Sequence, residues 1–87
     1  MTHPAYTHEW DAGDLGCGEL VVLLKLKLRD EMTAGEIIRL HGTDEGLQWD
    51  MPAWCGLTGN ELVHAEPPLF FIRKGPAPTA DAPEERA

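Results

Sequence analysis

The sequence predicts an α+β protein, a two-layer sandwich in which two helices pack on one face of a four-stranded mixed sheet. Four short stretches, alternating or rich in β-branched residues, are typical of strands. Two longer stretches repeat their apolar residues at the spacing of one helix face. The order is strand, helix, strand, helix, strand, strand, and 87 residues suffice for one domain with a small core.

The first strand and the first helix lie on either side of a turn. Tyr6 to Asp11 alternates between aromatic or histidine side chains and smaller polar ones, which predicts a strand with one buried face. Ala12 to Gly16 is predicted as the turn. Gly18 to Met32 fits both a strand and a helix by pattern, but it is too long for a typical strand. We therefore predict a helix, with an apolar face made of Leu20, Val21, Leu24, Leu28 and Met32.

The middle of the chain contains a second strand and a second helix. Glu36 to His41 is apolar and β-branched, which predicts a buried strand. A helix is predicted roughly from Glu45 to Thr58, and Asp44 has the side chain to cap its first turn. Pro52 lies within this helix and should either kink it or mark its true first turn.

Two strands and a tail complete the chain. The strands are predicted at Glu61 to Glu66 and at Leu69 to Lys74, with a Pro-Pro pair turning the chain between them. Alternation in the first of them puts Leu62 and His64 on the same side of the sheet. Gly75 to Ala87 is rich in proline, alanine and charge, which predicts a disordered tail. The domain is therefore expected to span residues 1–74.

The charge of the chain restricts its partners. Seven Lys and Arg against fifteen Asp and Glu give a net charge of −8, which disfavours nucleic acid and anionic membranes and suits a basic protein partner. The longest apolar run, Leu20 to Leu24, is too short to cross a bilayer, and the N-terminus does not resemble a signal peptide. Two cysteines are few for a secreted domain stapled by disulfides. We expect a cytoplasmic monomer.

Cys17 is the residue most suited to chemistry. The start of a helix provides free N–H groups and a partial positive charge, which lower the pKa of a thiol. Gly16 and Gly18 leave the thiol sterically open, whereas Glu19 disfavours the thiolate. The alternative is a small buried cysteine that only packs at the helix start. The residues alone leave both roles open.

The other candidate residues favour structural roles. Cys55 could be a second sulfur site or a partner for Cys17, but a core position on the second helix is the expected one. The histidines lack ligand spacing, so no metal site and no cofactor are predicted. The tryptophans are expected in the core rather than as anchors for a partner: Trp10, Trp49 and Trp54. A basic cluster is expected to be a solvated helix face rather than a docking site: Lys25, Lys27 and Arg29.

Several local strings, in this order and at this spacing, resemble the TusA/SirA family of small sulfur-carrier proteins. The resemblance extends from about Trp10 to Lys74. The matching strings are Asp11 through Leu15-Gly16-Cys17, Gly35-Glu36-Ile37-Ile38, Asp50-Met51-Pro52-Ala53-Trp54, Gly59-Asn60-Glu61-Leu62 and Phe71-Ile72-Arg73-Lys74. The resemblance implies a sandwich of two helices on a four-stranded sheet. It also implies that Cys17 accepts sulfane sulfur as a persulfide from a cysteine desulfurase or another carrier, and hands it to an acceptor protein.

The chain departs from the family at the motif that holds the cysteine. The family has a Cys-Pro-x-Pro motif, and here Gly18 and Leu20 stand in place of the two prolines. Proline would fix the backbone at the helix start, and glycine loosens it. Two functions therefore remain: a sulfur carrier of sulfurtransferase type acting through Cys17, or a binding or regulatory module that kept the fold and lost the reaction.

Overall fold

Four strands and two helices follow one another in the predicted order in a computed structural model, which describes residues 4–76. The elements are β1 (His8–Gly13), α1 (Cys17–Glu31), β2 (Ile37–Gly42), α2 (Leu47–Thr58), β3 (Glu61–Glu66) and β4 (Leu69–Arg73). The predicted α+β sandwich is thereby confirmed. The ambiguous segment after Cys17 is a helix, as its length predicts.

The sheet is mixed, with strand order β1-β2-β4-β3. β1 and β2 are parallel, whereas β4 pairs antiparallel with both β2 and β3. A parallel pair requires a crossover, which α1 supplies between β1 and β2. Because α1 and α2 each follow one of the two parallel strands, both helices begin at the same edge of the sheet. This topology decides what surrounds Cys17.

The core lies between the helices and one face of the sheet. The predicted apolar face of α1 is buried through Leu20, Leu24 and Leu28. The remaining core side chains come from α2 and from the three strands β1, β2 and β4, with Met32 following α1: Ala12, Met32, Ile38, Leu40, Leu47, Met51, Cys55, Phe70 and Ile72. Burying a large apolar side chain contributes about 1.5–3 kcal/mol, so this layer is the main source of stability.

On the opposite face of the sheet, polar and aromatic side chains cover one buried aromatic ring. Phe71 is fully buried there, with the ring of Tyr6 at 6.1 Å and that of His64 at 5.7 Å between centroids. Arg39 lies over the Tyr6 ring at 5.3 Å and pairs with Glu9 at 3.2 Å. This face is therefore ordered by ring and ion-pair contacts, and the sheet separates it from Cys17.

The expected alternation in β3 is wrong because the strand contains a bulge. The register with β4 shifts between Leu62 and His64. Leu62 packs against the core, whereas His64 contacts Phe71 on the other face of the sheet. An extra residue in a strand reverses the facing of every residue after it.

The start of α2 differs from the sequence prediction. The helix begins at Leu47 with Gly46 as its N-cap and makes no side-chain capping hydrogen bond, so the expected cap by Asp44 is wrong. Pro52 lies inside the helix and not in its first turn. At the C-terminus, Gly59 adopts φ 77°, a left-handed conformation that favours glycine, and its N–H donates to the Cys55 carbonyl.

The last described residues fasten α1 and α2 to the sheet. Lys74 Nζ donates to the carbonyls of Leu28 at 2.7 Å and Met32 at 2.8 Å, at the C-terminal end of α1. The Gly75 N–H donates to Asn60 Oδ1 at 2.9 Å. The predicted disordered tail lies outside the described residues from residue 77 onward. Between residues 4 and 76 no helix is long and apolar enough to cross a membrane.

Candidate functional site

The end of β2 brings the first turns of both helices together at Gly42. A Cβ at this position would lie 2.6 Å from Leu47 Cδ1 of α2 and 3.3 Å from Leu20 Cδ1 of α1. Only a residue without a side chain permits this approach. The loop after β2 is tied to the loop after β1, because the Thr43 N–H donates to the Gly13 carbonyl at 2.9 Å. The two helix N-termini are thereby held side by side.

Cys17 is the first residue of α1, one residue earlier than the predicted helix start. Gly16 is the N-cap with φ −67° and ψ 154°, and its carbonyl accepts the first helical hydrogen bond, from the Leu20 N–H at 2.9 Å. The N–H groups of the first helical turn have no partner within the helix. Cys17 is half-buried and packs partly against the core. A Cβ on Gly16 or on Gly18 would meet nothing within 4 Å, so no other part of the fold crowds the two positions that flank Cys17.

Two carboxylates from the start of α2 lie beside this thiol. The Asp50 carboxylate interacts with the Cys17 thiol strongly enough to raise its pKa, and the charge of Asp44 also acts on it. Both carboxylates border Gly46, where an added Cβ would lie 3.3 Å from Asp44 Oδ2 and 3.5 Å from Asp50 Oδ2. The site therefore consists of one thiol from α1 and two negative charges from the neighbouring helix start.

These surroundings raise the pKa of Cys17 to about 11. Burial is the largest cause, followed by the hydrogen bond to Asp50, the charge of Asp50 and the charge of Asp44. The expected lowering of the thiol pKa by the helix start is therefore overcome. The carboxylates responsible belong to α2, and the expected effect of Glu19 is not among the causes. At neutral pH the thiol is therefore predominantly protonated.

Cys55 lies in the core, as expected for a structural cysteine. Its side chain is 2% exposed, and burial raises the pKa of its thiol to about 11. A sulfur atom on another protein has no access to it. Of the two cysteines in the chain, Cys17 is the one that a partner can reach.

The tryptophans divide between core and surface. Trp10 and Trp54 are partly buried and pack against the core, as predicted. Trp49 is 71% exposed, so the expectation of a core position is wrong for this residue. Helical periodicity explains the difference, because Leu47 and Met51 turn inward and the residue midway between them turns outward.

The basic residues of α1 lie on a solvated face, as predicted. Lys27 pairs with Glu31 at 3.7 Å and lies 5.4 Å from the Trp10 ring centroid. Arg29 pairs with Asp30 at 2.9 Å, and Lys25 is exposed. Among the residues that the structure describes, no cluster of His, Cys, Asp and Glu could hold a metal ion.

Asp44 and Asp50 are the site residues that the sequence analysis did not identify. Asp50 opens one of the strings that resemble the family, and Asp44 was assigned only to helix capping. The signal that identifies them is topological. A helix that follows each of two parallel strands must start beside the other, so acidic residues at the second helix start face a cysteine at the first.

Fold and site together define a class: a small sandwich of two helices on a four-stranded sheet, with an accessible thiol at the start of its first helix. The chain belongs to the TusA/SirA family. It is 36% identical over 78 residues to the sulfur carrier protein TusA of Pseudomonas paraeruginosa, which is 85% of this chain and 96% of that protein.

Two further relatives give similar agreement. The sulfur carrier protein TusA of Pseudomonas syringae pv. syringae is 37% identical over 70 residues, 76% of this chain and 82% of that protein. YrkF of Bacillus subtilis is 36% identical over 69 residues, which are 75% of this chain but 37% of that longer protein. No protein-family model matches the chain.

Proposed function

We propose that this protein is a cytoplasmic sulfur carrier that accepts sulfane sulfur on Cys17 as a persulfide and relays it to a partner protein. Relatives that share most of the chain are named sulfur carrier proteins. The observation that carries the proposal is the position of Cys17, a partly exposed thiol flanked by Gly16 and Gly18 at a helix start. The other thiol of the chain is buried and cannot serve.

Loading is a thiol–persulfide exchange. The Cys17 thiolate attacks the outer sulfur of a donor persulfide, so that one S–S bond forms while the donor's S–S bond breaks. The electron pair leaves on the donor's inner sulfur, which takes up a proton. The donor is a protein such as a cysteine desulfurase or another carrier. In unloading, an acceptor nucleophile attacks the outer sulfur and Cys17 leaves as a thiolate.

Asp50 acts on the thiol as a positioning residue. Its carboxylate raises the pKa of the thiol, which favours the protonated, less nucleophilic form of the empty carrier. A persulfide is more acidic than a thiol, so the same carboxylates hold a proton on the loaded form less strongly. The helix start then favours the persulfide anion through its unpartnered N–H groups.

Loading with inorganic polysulfide tests the proposal without a protein donor. Intact-mass measurement should find one added sulfur atom on the wild type and none on Cys17→Ser. Cys55→Ala should retain loading, because the removed thiol is buried. Sulfur found on Cys55, or on neither cysteine, would contradict the carrier function.

A binding or regulatory module without sulfur transfer is the second candidate. The raised pKa of Cys17 and the absence of the motif prolines favour it. Gly18→Pro separates the two, since position 18 has open space. Proline cannot be restored at Leu20, whose N–H donates to Gly16 and whose side chain is fully buried. Loading gained only in Gly18→Pro would identify a family member that gave up the reaction.

A further inference from the structure

The outer surface of α2 is apolar over two turns. Trp49 is 71% exposed and Leu57 is 85% exposed, and Ala53 between them is also exposed. These residues are four apart, a spacing that places them on one side of a helix. We call Trp49, Ala53 and Leu57 the α2 outer face. Side chains of this size on an exposed helix surface mark an interaction site when they are grouped rather than scattered.

The α2 outer face begins beside the thiol of Cys17. Trp49 directly precedes Asp50, whose carboxylate raises the pKa of that thiol. Asp44 also borders the helix start, and Glu45 next to it is exposed. A large exposed apolar side chain therefore lies at the same helix start as three acidic residues, two of which act on the reactive thiol.

We infer that the α2 outer face, together with Asp44, Glu45 and Asp50, is the docking surface for a protein that presents arginine or lysine beside an apolar side chain. The inference rests on the proposed function, because the docked protein is the one that exchanges sulfur with Cys17. The surface and the docked protein are complementary in polarity and in charge. An apolar side chain of the partner packs on Trp49 and Leu57, while its cation faces the carboxylates.

Charge decides between the possible occupants of this surface. A second copy of the chain would bring three carboxylates against three others, and an anionic membrane would be repelled by the net charge of −8. A basic partner is attracted instead. Tryptophan and arginine are the residues that most often dominate such interfaces, and a guanidinium stacks favourably on an indole ring.

Docking of this kind also prepares the thiol for reaction. A cation placed beside Asp50 and Asp44 offsets the negative charges that keep the Cys17 proton in place. The thiolate then forms in the complex, where the sulfur to be transferred is present. The free protein keeps a protonated thiol, and the partner's own charge makes that thiol nucleophilic.

Two activated peptides measure the preference of this surface directly. The peptides are Arg-Leu-Cys-Leu-Arg and Glu-Leu-Cys-Leu-Glu, each with its cysteine as a 2-thiopyridyl disulfide. Attack by the Cys17 thiolate forms a disulfide with the peptide and releases 2-thiopyridone, whose absorbance gives the rate. The wild type should react about tenfold faster with the arginine peptide than with the glutamate peptide, and added salt should reduce this ratio.

Single variants locate the preference on the α2 outer face. Trp49→Ala should slow the reaction of Cys17 with the arginine peptide about three- to tenfold. The rate of its reaction with neutral 2,2′-dithiodipyridine should not change. Tyr6→Ala is the matched control, because it removes an aromatic ring, 43% exposed, from the opposite face of the sheet. Glu45→Gln should lower the ratio between the two peptides, and Glu31→Gln at the far end of α1 should not.

The outcomes separate this inference from the proposed function. The docking surface would be overturned if the wild type reacted at equal rates with the two peptides. It would also be overturned if Trp49→Ala slowed the reaction with dithiodipyridine as much as the reaction with the arginine peptide. A wild-type dimer that Trp49→Ala dissociates in analytical ultracentrifugation would assign the surface to a second copy and overturn it as well. Peptide discrimination without polysulfide loading of Cys17 would leave the docking surface standing and the carrier function disproved.

Discussion

Two opposing influences meet at the sulfur of Cys17. The unpartnered N–H groups at the start of α1 favour an anion there, whereas burial and the carboxylates of Asp50 and Asp44 disfavour it. The second set prevails in the free protein, so the thiol is stored in its unreactive form.

Asp50→Asn should make Cys17 more reactive. The substitution removes the negative charge and its hydrogen bond, so the pKa of the thiol should fall below its present value of about 11. We expect the alkylation rate with iodoacetamide at neutral pH to rise about tenfold, and its pH profile to shift to lower pH. Glu19→Gln is the matched control on α1 itself. An equal acceleration in that control would show that Asp50 has no special position.

The buried thiol of Cys55 should make the protein less stable in alkali. Its pKa is raised from 9.0 to about 11 in the folded state, so above pH 9 the unfolded chain loses this proton first. The free energy of unfolding should therefore fall between pH 9 and pH 11, by about 1 kcal/mol per pH unit from this group. Denaturant unfolding of the wild type and of Cys55→Ala checks this. The same slope in both would contradict it.

Each helix is held at an end by a group from the sheet or its connections. The start of α1 and the start of α2 converge on Gly42, and the end of α1 is bound by Lys74. The geometry of the site follows from these fixed ends, because the relative position of Cys17 and Asp50 depends on both helix starts.

Lys74→Met should destabilise the fold. It removes two hydrogen bonds to the Leu28 and Met32 carbonyls together with a positive charge at a helix C-terminus. We expect a loss of about 2 kcal/mol in the free energy of unfolding, measured with urea. Lys25→Met, on the exposed side of α1, should change it by less than about 0.5 kcal/mol. Similar losses in both variants would refute the role of Lys74.

Gly42→Ala should separate the two helix starts. Its Cβ would lie 2.6 Å from Leu47 Cδ1, a clash in a fully buried position that should cost about 1–3 kcal/mol of unfolding free energy. Gly18→Ala is the control, since its Cβ meets nothing within 4 Å, and it should be neutral or slightly stabilising. If Gly42→Ala were equally neutral, close packing at this point would not hold the site.

The molecule as a whole combines a small apolar core with a strongly acidic chain, and its contacts extend past β4 to the hydrogen bond of Gly75 with Asn60. Removing residues 77–87 should leave the free energy of unfolding within about 0.5 kcal/mol of the full chain, since their sequence holds no large apolar side chain to bury. Removing Gly75 and Pro76 as well should cost about 1 kcal/mol, because the hydrogen bond to Asn60 is lost. Urea unfolding of both truncations tests this, and a larger loss from the first would show that the tail docks on the domain.

Features that depend only on residues close to one another in the sequence were predictable. The spacing of Leu20, Leu24 and Leu28 reports one buried helix face, because periodicity records which side of an element meets the core. Cys17 at a helix start follows from the same local reasoning. The order of elements, and with it the sandwich, could be derived from such patterns.

Contacts between distant parts of the chain were decided by the tertiary structure. The bulge in β3 turns His64 to the other face of the sheet. Asp50 meets Cys17 because two parallel strands direct both following helices to start at one edge of the sheet. Hydrophobic periodicity records burial but not which elements become neighbours. The charge that governs the thiol could therefore be assigned only after the chain had been folded.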